Sequence, residues 1–119
     1  MENVIIKVVD FTEYPDVRYI HQDKDSGEQY YYDVVNPQFK SAVENGKKLV
    51  VNLDNTAGYA SSFLDEAFGN LVYDFDYNDI KRHLGIISND EPDWIDIIMN
   101  EILPSWKQKF DKKSPRKEE

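Results

Sequence analysis

Leu49-Val50-Val51-Asn52-Leu53 decides the fold, because this apolar run leads through Asp54 to Ala60 into Ser61-Ser62 and a helical pattern. An uninterrupted apolar segment of strand length suits a strand buried on both faces, the environment at the middle of a parallel sheet. Beyond the loop, Leu64, Ala67, Phe68, Leu71 and Val72 recur at helical spacing and form one apolar stripe, which Gly69 weakens. Strand, Gly58-containing loop and helix therefore follow one another as in a strand–helix–strand crossover.

Working backward from that run, Gly46 is a helix stop and Lys47-Lys48 leads into the strand. Tyr31, Val34, Val35, Phe39, Ala42 and Val43 keep helical spacing across a break at Asn36-Pro37, although Tyr30-Tyr31-Tyr32 and Val34-Val35 would also suit a strand. Ser26 with Gln29 three residues later has the form of a capping box, and helix is the reading adopted. Val4 to Phe11 is rich in β-branched residues, Pro15-Asp16 marks a turn, and Val17 to His21 reads as a short second strand, so an opening hairpin is expected.

Working forward, Asp76 to Arg82 suggests a helical turn and Leu84 to Ser88 another buried parallel strand. Asn89-Asp90-Glu91-Pro92 supplies capping candidates and a first-turn proline for a helix carrying Trp94, Ile95, Ile98, Met99 and Ile102. Pro104 is expected to end or kink it, with a further turn over 105–110. The expected fold is α/β: a mixed sheet of about four strands with helices packed against it, in the order β-β-α-β-α-β-α. Residues 1–110 form one domain in this reading, and 111–119 a charged mobile tail. In such sheets the loops leaving the C-terminal strand ends gather on one edge, which brings Asp54, Gly58, Tyr59, Ser61, Ser62 and Asn89 to a common rim, with Ser61 near Asn89.

Composition narrows the functional classes. The 23 acidic against 14 basic residues leave a formal charge of −9, which disfavours nucleic acid as a partner. The basic cluster of Lys107, Lys109, Lys112, Lys113, Arg116 and Lys117 reads as a solvated tail. The chain has no cysteine, which excludes disulfides, thiolate zinc sites and cysteine nucleophiles and is compatible with a reducing cytoplasm. No apolar run approaches the ~20 residues of a membrane span, and Met1-Glu2-Asn3 does not begin a signal peptide, so neither membrane insertion nor secretion is expected. Asp74-Phe75-Asp76-Tyr77-Asn78-Asp79 begins like a calcium loop, but Asp79 takes the glycine position and Gly85 the place of the closing glutamate. No metal or cofactor is expected, since neither histidine spacing nor a glycine-rich nucleotide loop supports one.

Two readings of the serine junction stand side by side. Unpaired amides at a helix start can hold phosphate oxygens and the helix dipole favours the added charge, so Ser61 suits modification. Alternatively Ser62, with Asp65 three residues on, is an ordinary capping arrangement. The segment Val51 to Gly69 resembles the strand, loop and paired-serine helix start of STAS domains, the fold of sulfate transporters and anti-sigma-factor antagonists. Through Arg18-Tyr19, Ser26-Gly27-Glu28, the Asn36-Pro37 helix and the run Gly58 to Gly69, residues 14–100 are similar to a bacterial STAS-like domain family of unknown function.

That resemblance implies a non-enzymatic interaction or signalling module. It also implies Ser61 as phosphoacceptor and a protein partner such as a histidine-kinase-like ATPase. The chain departs from the antagonists at Ala60, where they carry aspartate, and at Phe63, where they carry glycine. The alternative from another class is a small hydrolase or transferase using Ser61 with His83, although the glycine–x–serine–x–glycine elbow is missing. The breadth of the last helix also leaves room for a homodimer contact.

Overall fold

The computed structural model describes residues 1–116. Three strands, β1 (Asn3–Lys7), β2 (Lys48–Asn52) and β3 (Leu84–Ile87), form one parallel sheet in the order β1-β2-β3. β2 is central, as its apolar run requires: Leu49, Val50 and Val51 are all buried, whereas β1 alternates exposed and half-buried residues. Among the described residues the sheet is neither mixed nor four-stranded. Val17 to His21 pairs with no strand; the Val17 and Arg18 carbonyls instead accept from Gly27 and Glu28 N–H, which ties this stretch to the start of a helix. β-propensity was overridden here by a tertiary anchor, the Arg18 side chain.

Four helical stretches surround the core. The first contains α1 (Gly27–Tyr30), a π turn at Tyr31–Val35 and α2 (Asn36–Glu44). Ser26 caps α1 by accepting from Gln29 N–H at 3.0 Å. Pro37 does not break the stretch. The Asn36 N–H reaches back five residues to the Tyr31 carbonyl, so the ladder is already widened before the proline, which has no N–H and crowds the preceding turn. Gly46, at φ +65°, closes α2: its N–H meets the Val43 carbonyl and that of Lys47 meets Ala42, a Schellman closure.

The second stretch is α3 (Ser61–Gly69) followed by α4 (Leu71–Asp74), and the third is α5 (Tyr77–His83), capped by Asp76. The last comprises α6 (Asp93–Ile97), a π turn at Ile98–Ile102 and α7 (Leu103–Asp111). It repeats the first device: Leu103 N–H bonds the Ile98 carbonyl immediately before Pro104, so the proline neither ends nor interrupts the helix. After Asp111 the chain folds back, the Ser114 carbonyl accepting from the Tyr73 hydroxyl and Arg116 reaching Asp74 and Tyr32. Part of the charged tail, residues 117–119, lies outside the described residues.

Both strand connections advance one place along the sheet in the same direction, and the right-handed rule for such crossovers places the connecting helices on one face. Val4, Ile6, Leu49, Val51, Leu84 and Ile86 on that face join the core with Tyr31, Phe39, Phe63, Phe68 and Leu103. Ile5, Val50 and Ile87, on the opposite face, do not. Among the described residues no helix is long and apolar enough to cross a membrane.

Candidate functional site

The expected rim divides into two structures. The first is a polar knot. Asp54, which follows β2, accepts from the Asn89 N–H at 2.7 Å, the Asp90 N–H at 2.9 Å and the Asn89 side-chain amide at 2.9 Å. The Asp90 carboxylate returns a bond from Asn55 N–H at 2.9 Å, with Asn55 at φ +72°. These amides, the Asp90 N–H foremost, hold the Asp54 carboxyl below its ordinary value. Asn89 and Asp90, read as helix caps, thus lock the two loops together instead. Tyr59 seals the knot, donating its hydroxyl to the Leu53 carbonyl at 2.7 Å and packing edge-on to Trp94. Burial raises its pKa above the ordinary tyrosine value.

The second structure is a groove where α3 meets the C-terminal helical stretch. Ser61 lines it together with Arg18, Asp65, Glu101 and Ser105 over a floor containing Ile97 and Ile102. Asp54, Gly58, Tyr59 and Asn89 are not among its walls. Ala60, not a serine, is the N-cap of α3, and no side-chain capping bond is present. The Ser62–Asp65 capping arrangement is therefore not made. Asp65 is engaged elsewhere: Arg18 Nη1 lies 2.5 Å from one of its oxygens, and Trp106 Nε1 donates to the other at 2.9 Å. Ser61 is exposed at the first helical position of α3, and Ser62 is half-buried.

Behind the groove the polar contacts run inward. Arg18 also reaches Glu66 at 3.3 Å, and Asn70 donates to the second Glu66 oxygen at 2.8 Å. Glu66 is almost wholly buried, and desolvation raises its carboxyl above the ordinary value while Asn70 and Arg18 oppose the rise. From Asn70 the network continues through the Tyr31 hydroxyl, 3.2 Å from the Asn70 carbonyl and 2.5 Å from Asp74. α1 is pressed against the same helix, since a Cβ on Gly27 would overlap the Phe63 carbonyl. The motif segments Arg18-Tyr19, Ser26-Gly27-Glu28 and Gly58 to Gly69 thus converge on α3.

The matching family model is the STAS-like domain of unknown function (DUF4325), over residues 32–94. The chain belongs to this family. Searches of curated proteins and of solved structures gave no match. The matched span runs from the first π turn to the start of α6 and includes β2, α3 and β3 of the STAS-like fold. Arg18 lies outside it yet closes the groove, a role that its charge beside Tyr19 did not reveal in the sequence.

The pairing of Ser61 with His83 is not made in this STAS-like domain. His83 is buried where β3 begins, its Nδ1 2.7 Å from the Lys47 carbonyl, whereas Ser61 follows the opposite end of β2. A five-residue strand separates those ends by roughly 16 Å. Among the described residues no group of three or more histidine, aspartate or glutamate side chains is placed to hold a metal ion.

Proposed function

We propose that the chain is a non-enzymatic, antagonist-like interaction module that docks a regulatory protein through the α3 groove, with Ser61 as its modifiable switch. One observation carries this reading: Ser61 stands exposed at the first helical position in a groove walled by side chains from three parts of the chain, and it takes no part in capping. A histidine-kinase-like ATPase is the partner class that the family resemblance favours. A phosphate on Ser61 adds about −1.5 to −2 charges beside Asp65 and Glu101, leaving Arg18 as the groove's cation. It would draw Arg18 away from Asp65 and repel a partner seated against that wall. The amides at the α3 start would help hold it.

The test combines chemistry with affinity. Incubation with such an ATPase and ATP should place phosphate on Ser61 by peptide mass spectrometry, and Ser61→Ala should abolish it. In calorimetric titration, Ser61→Asp should weaken ATPase binding about a hundredfold, equivalent to ~2.7 kcal/mol, with an unchanged circular dichroism spectrum. Equal affinity for wild type and Ser61→Asp, or labelling that survives Ser61→Ala, defeats the proposal.

A further inference from the structure

Strand β1 is an open edge with a self-complementary sequence. The Lys48 N–H donates to the Glu2 carbonyl at 2.8 Å, which sets the phase of the β1–β2 ladder. Backbone groups alternate sides along a strand, so Val4 and Ile6 face β2, and Asn3, Ile5 and Lys7 direct their N–H and C=O groups outward. Among the described residues no hydrogen bond reaches the outward groups of Asn3 and Ile5 or the Lys7 N–H, while the Lys7 carbonyl opens the 3-10 turn at Val8–Asp10. The side chains of these three residues lie on the sheet face opposite the core cluster, where Ile5 is 55% exposed. Edges of this kind are normally blunted by proline, a bulge or a covering element. Asn3-Val4-Ile5-Ile6-Lys7 has neither proline nor bulge, and its one blunting charge, Lys7, stands at the end of the strand.

We propose that β1 pairs antiparallel with β1 of a second copy about a two-fold axis through Ile5, joining two three-stranded sheets into one of six strands. The phase of the outward groups permits it: Ile5 and the partner's Ile5 exchange two backbone bonds, and the Asn3 carbonyl accepts from the N–H of the partner's Lys7. The side chains fit as well. Ile5 covers the partner's Ile5, Val4 lies opposite the partner's Ile6, and each lysine faces an asparagine, so no like charges oppose each other. The other edge, β3, is a residue shorter and carries Gly85 within it, which weakens strand pairing. This self-association uses a different surface from the α3 groove and does not depend on the function proposed for it.

Sedimentation equilibrium over a concentration series tests both the pairing and its register. Wild type should move from monomer to dimer mass. Asn3→Glu sets a carboxylate against the partner's Lys7 twice per dimer and should tighten the dimer roughly two- to thirtyfold, whereas Asn3→Lys should loosen it by a similar factor. Net charge alone predicts the reverse, because a further negative charge on a chain of −9 discourages self-association. Ile5→Lys, which opposes two ammonium groups on the axis, should also loosen the dimer without unfolding the chain, since Ile5 is outside the core. Monomer mass for wild type at every concentration, or equal effects of Asn3→Glu and Asn3→Lys, overturns the proposal.

Discussion

Replacing Gly27 by alanine tests how α3, and with it the groove, is held. At most helical positions this change is favourable by about 1 kcal/mol, because alanine has the higher propensity and restricts the unfolded chain. Here the added Cβ lies 3.0 Å from the Phe63 carbonyl carbon and 3.1 Å from its Cα, and closer still to the carbonyl oxygen, where ordinary contact begins near 3.4 Å. Every one of these atoms is backbone, so no rotamer change relieves the overlap; the carbonyl oxygen, the nearest of them, requires α1 and α3 to part by about 1 Å. Overpacking costs about 1–3 kcal/mol, and contact with an unyielding backbone belongs at the upper end of that range. Subtracting the propensity gain leaves a net loss of about 2 kcal/mol, or roughly 10 °C in Tm for a chain of this size. Urea denaturation followed by Trp94 and Trp106 fluorescence measures it, the midpoint falling with an unchanged slope. A neutral or stabilised Gly27→Ala refutes the close approach of α1 to α3.

The Arg18 network makes a second quantitative claim. Arg18→Met leaves Glu66 buried without its cation and should cost about 2 kcal/mol, less than for a fully buried pair because the Arg18 side chain is 24% exposed. Adding Glu66→Gln should recover more than half of that loss in a double-mutant denaturation cycle, and additivity of the two changes would contradict the coupling. Asp54 supplies a pH readout. Its carboxyl is depressed in the folded chain, so the stability it contributes is present above the ordinary aspartate value and is lost as pH falls through the lower, folded value. The Asn89 and Asp90 amide resonances should titrate below the range of an exposed aspartate, and titration within the ordinary range argues against the knot.

How much of this was legible in the sequence depended on whether a residue's partner was near or far along the chain. β2, β3 and the stripe of α3 were readable because an apolar run or a helical period is itself the local record of burial. The Gly46 stop and the Ser26 cap were readable for the same reason: each is completed within a few residues. Val17 to His21 misled because its β-branched and aromatic residues suit a strand, while its structure is set by Arg18 reaching Asp65, 47 positions away. Pro37 and Pro104 misled differently. A proline in a helical pattern signals a break only if the ladder ahead stays α-helical, and the π turns at Tyr31–Val35 and Ile98–Ile102 carry no local signature. Asp65 suited capping on spacing alone, until Arg18 and Trp106 claimed both its oxygens.

The same distinction separates the groove from the knot in what each leaves open to solvent. In the knot Asp54 spends its acceptors on Asn89 and Asp90, and Tyr59 donates to Leu53, so its polar groups are largely satisfied within the chain. Such a knot fixes the exits of β2 and β3 and offers a partner little hydrogen-bonding capacity. In the groove the burden on α3 is divided by helical side. Gly27 touches the backbone at Phe63, Glu66 turns into the core, and Asp65 is held by Arg18 and Trp106, which leaves Ser61 at the solvent side of a helix fixed on its other sides. A partner or a phosphate at Ser61 can therefore compete for one group, Arg18, while the remaining α3 contacts stay in place. Under the proposed function, that separation of a rigid support from one exchangeable ion pair would let a local charge change alter recognition without unfolding the domain.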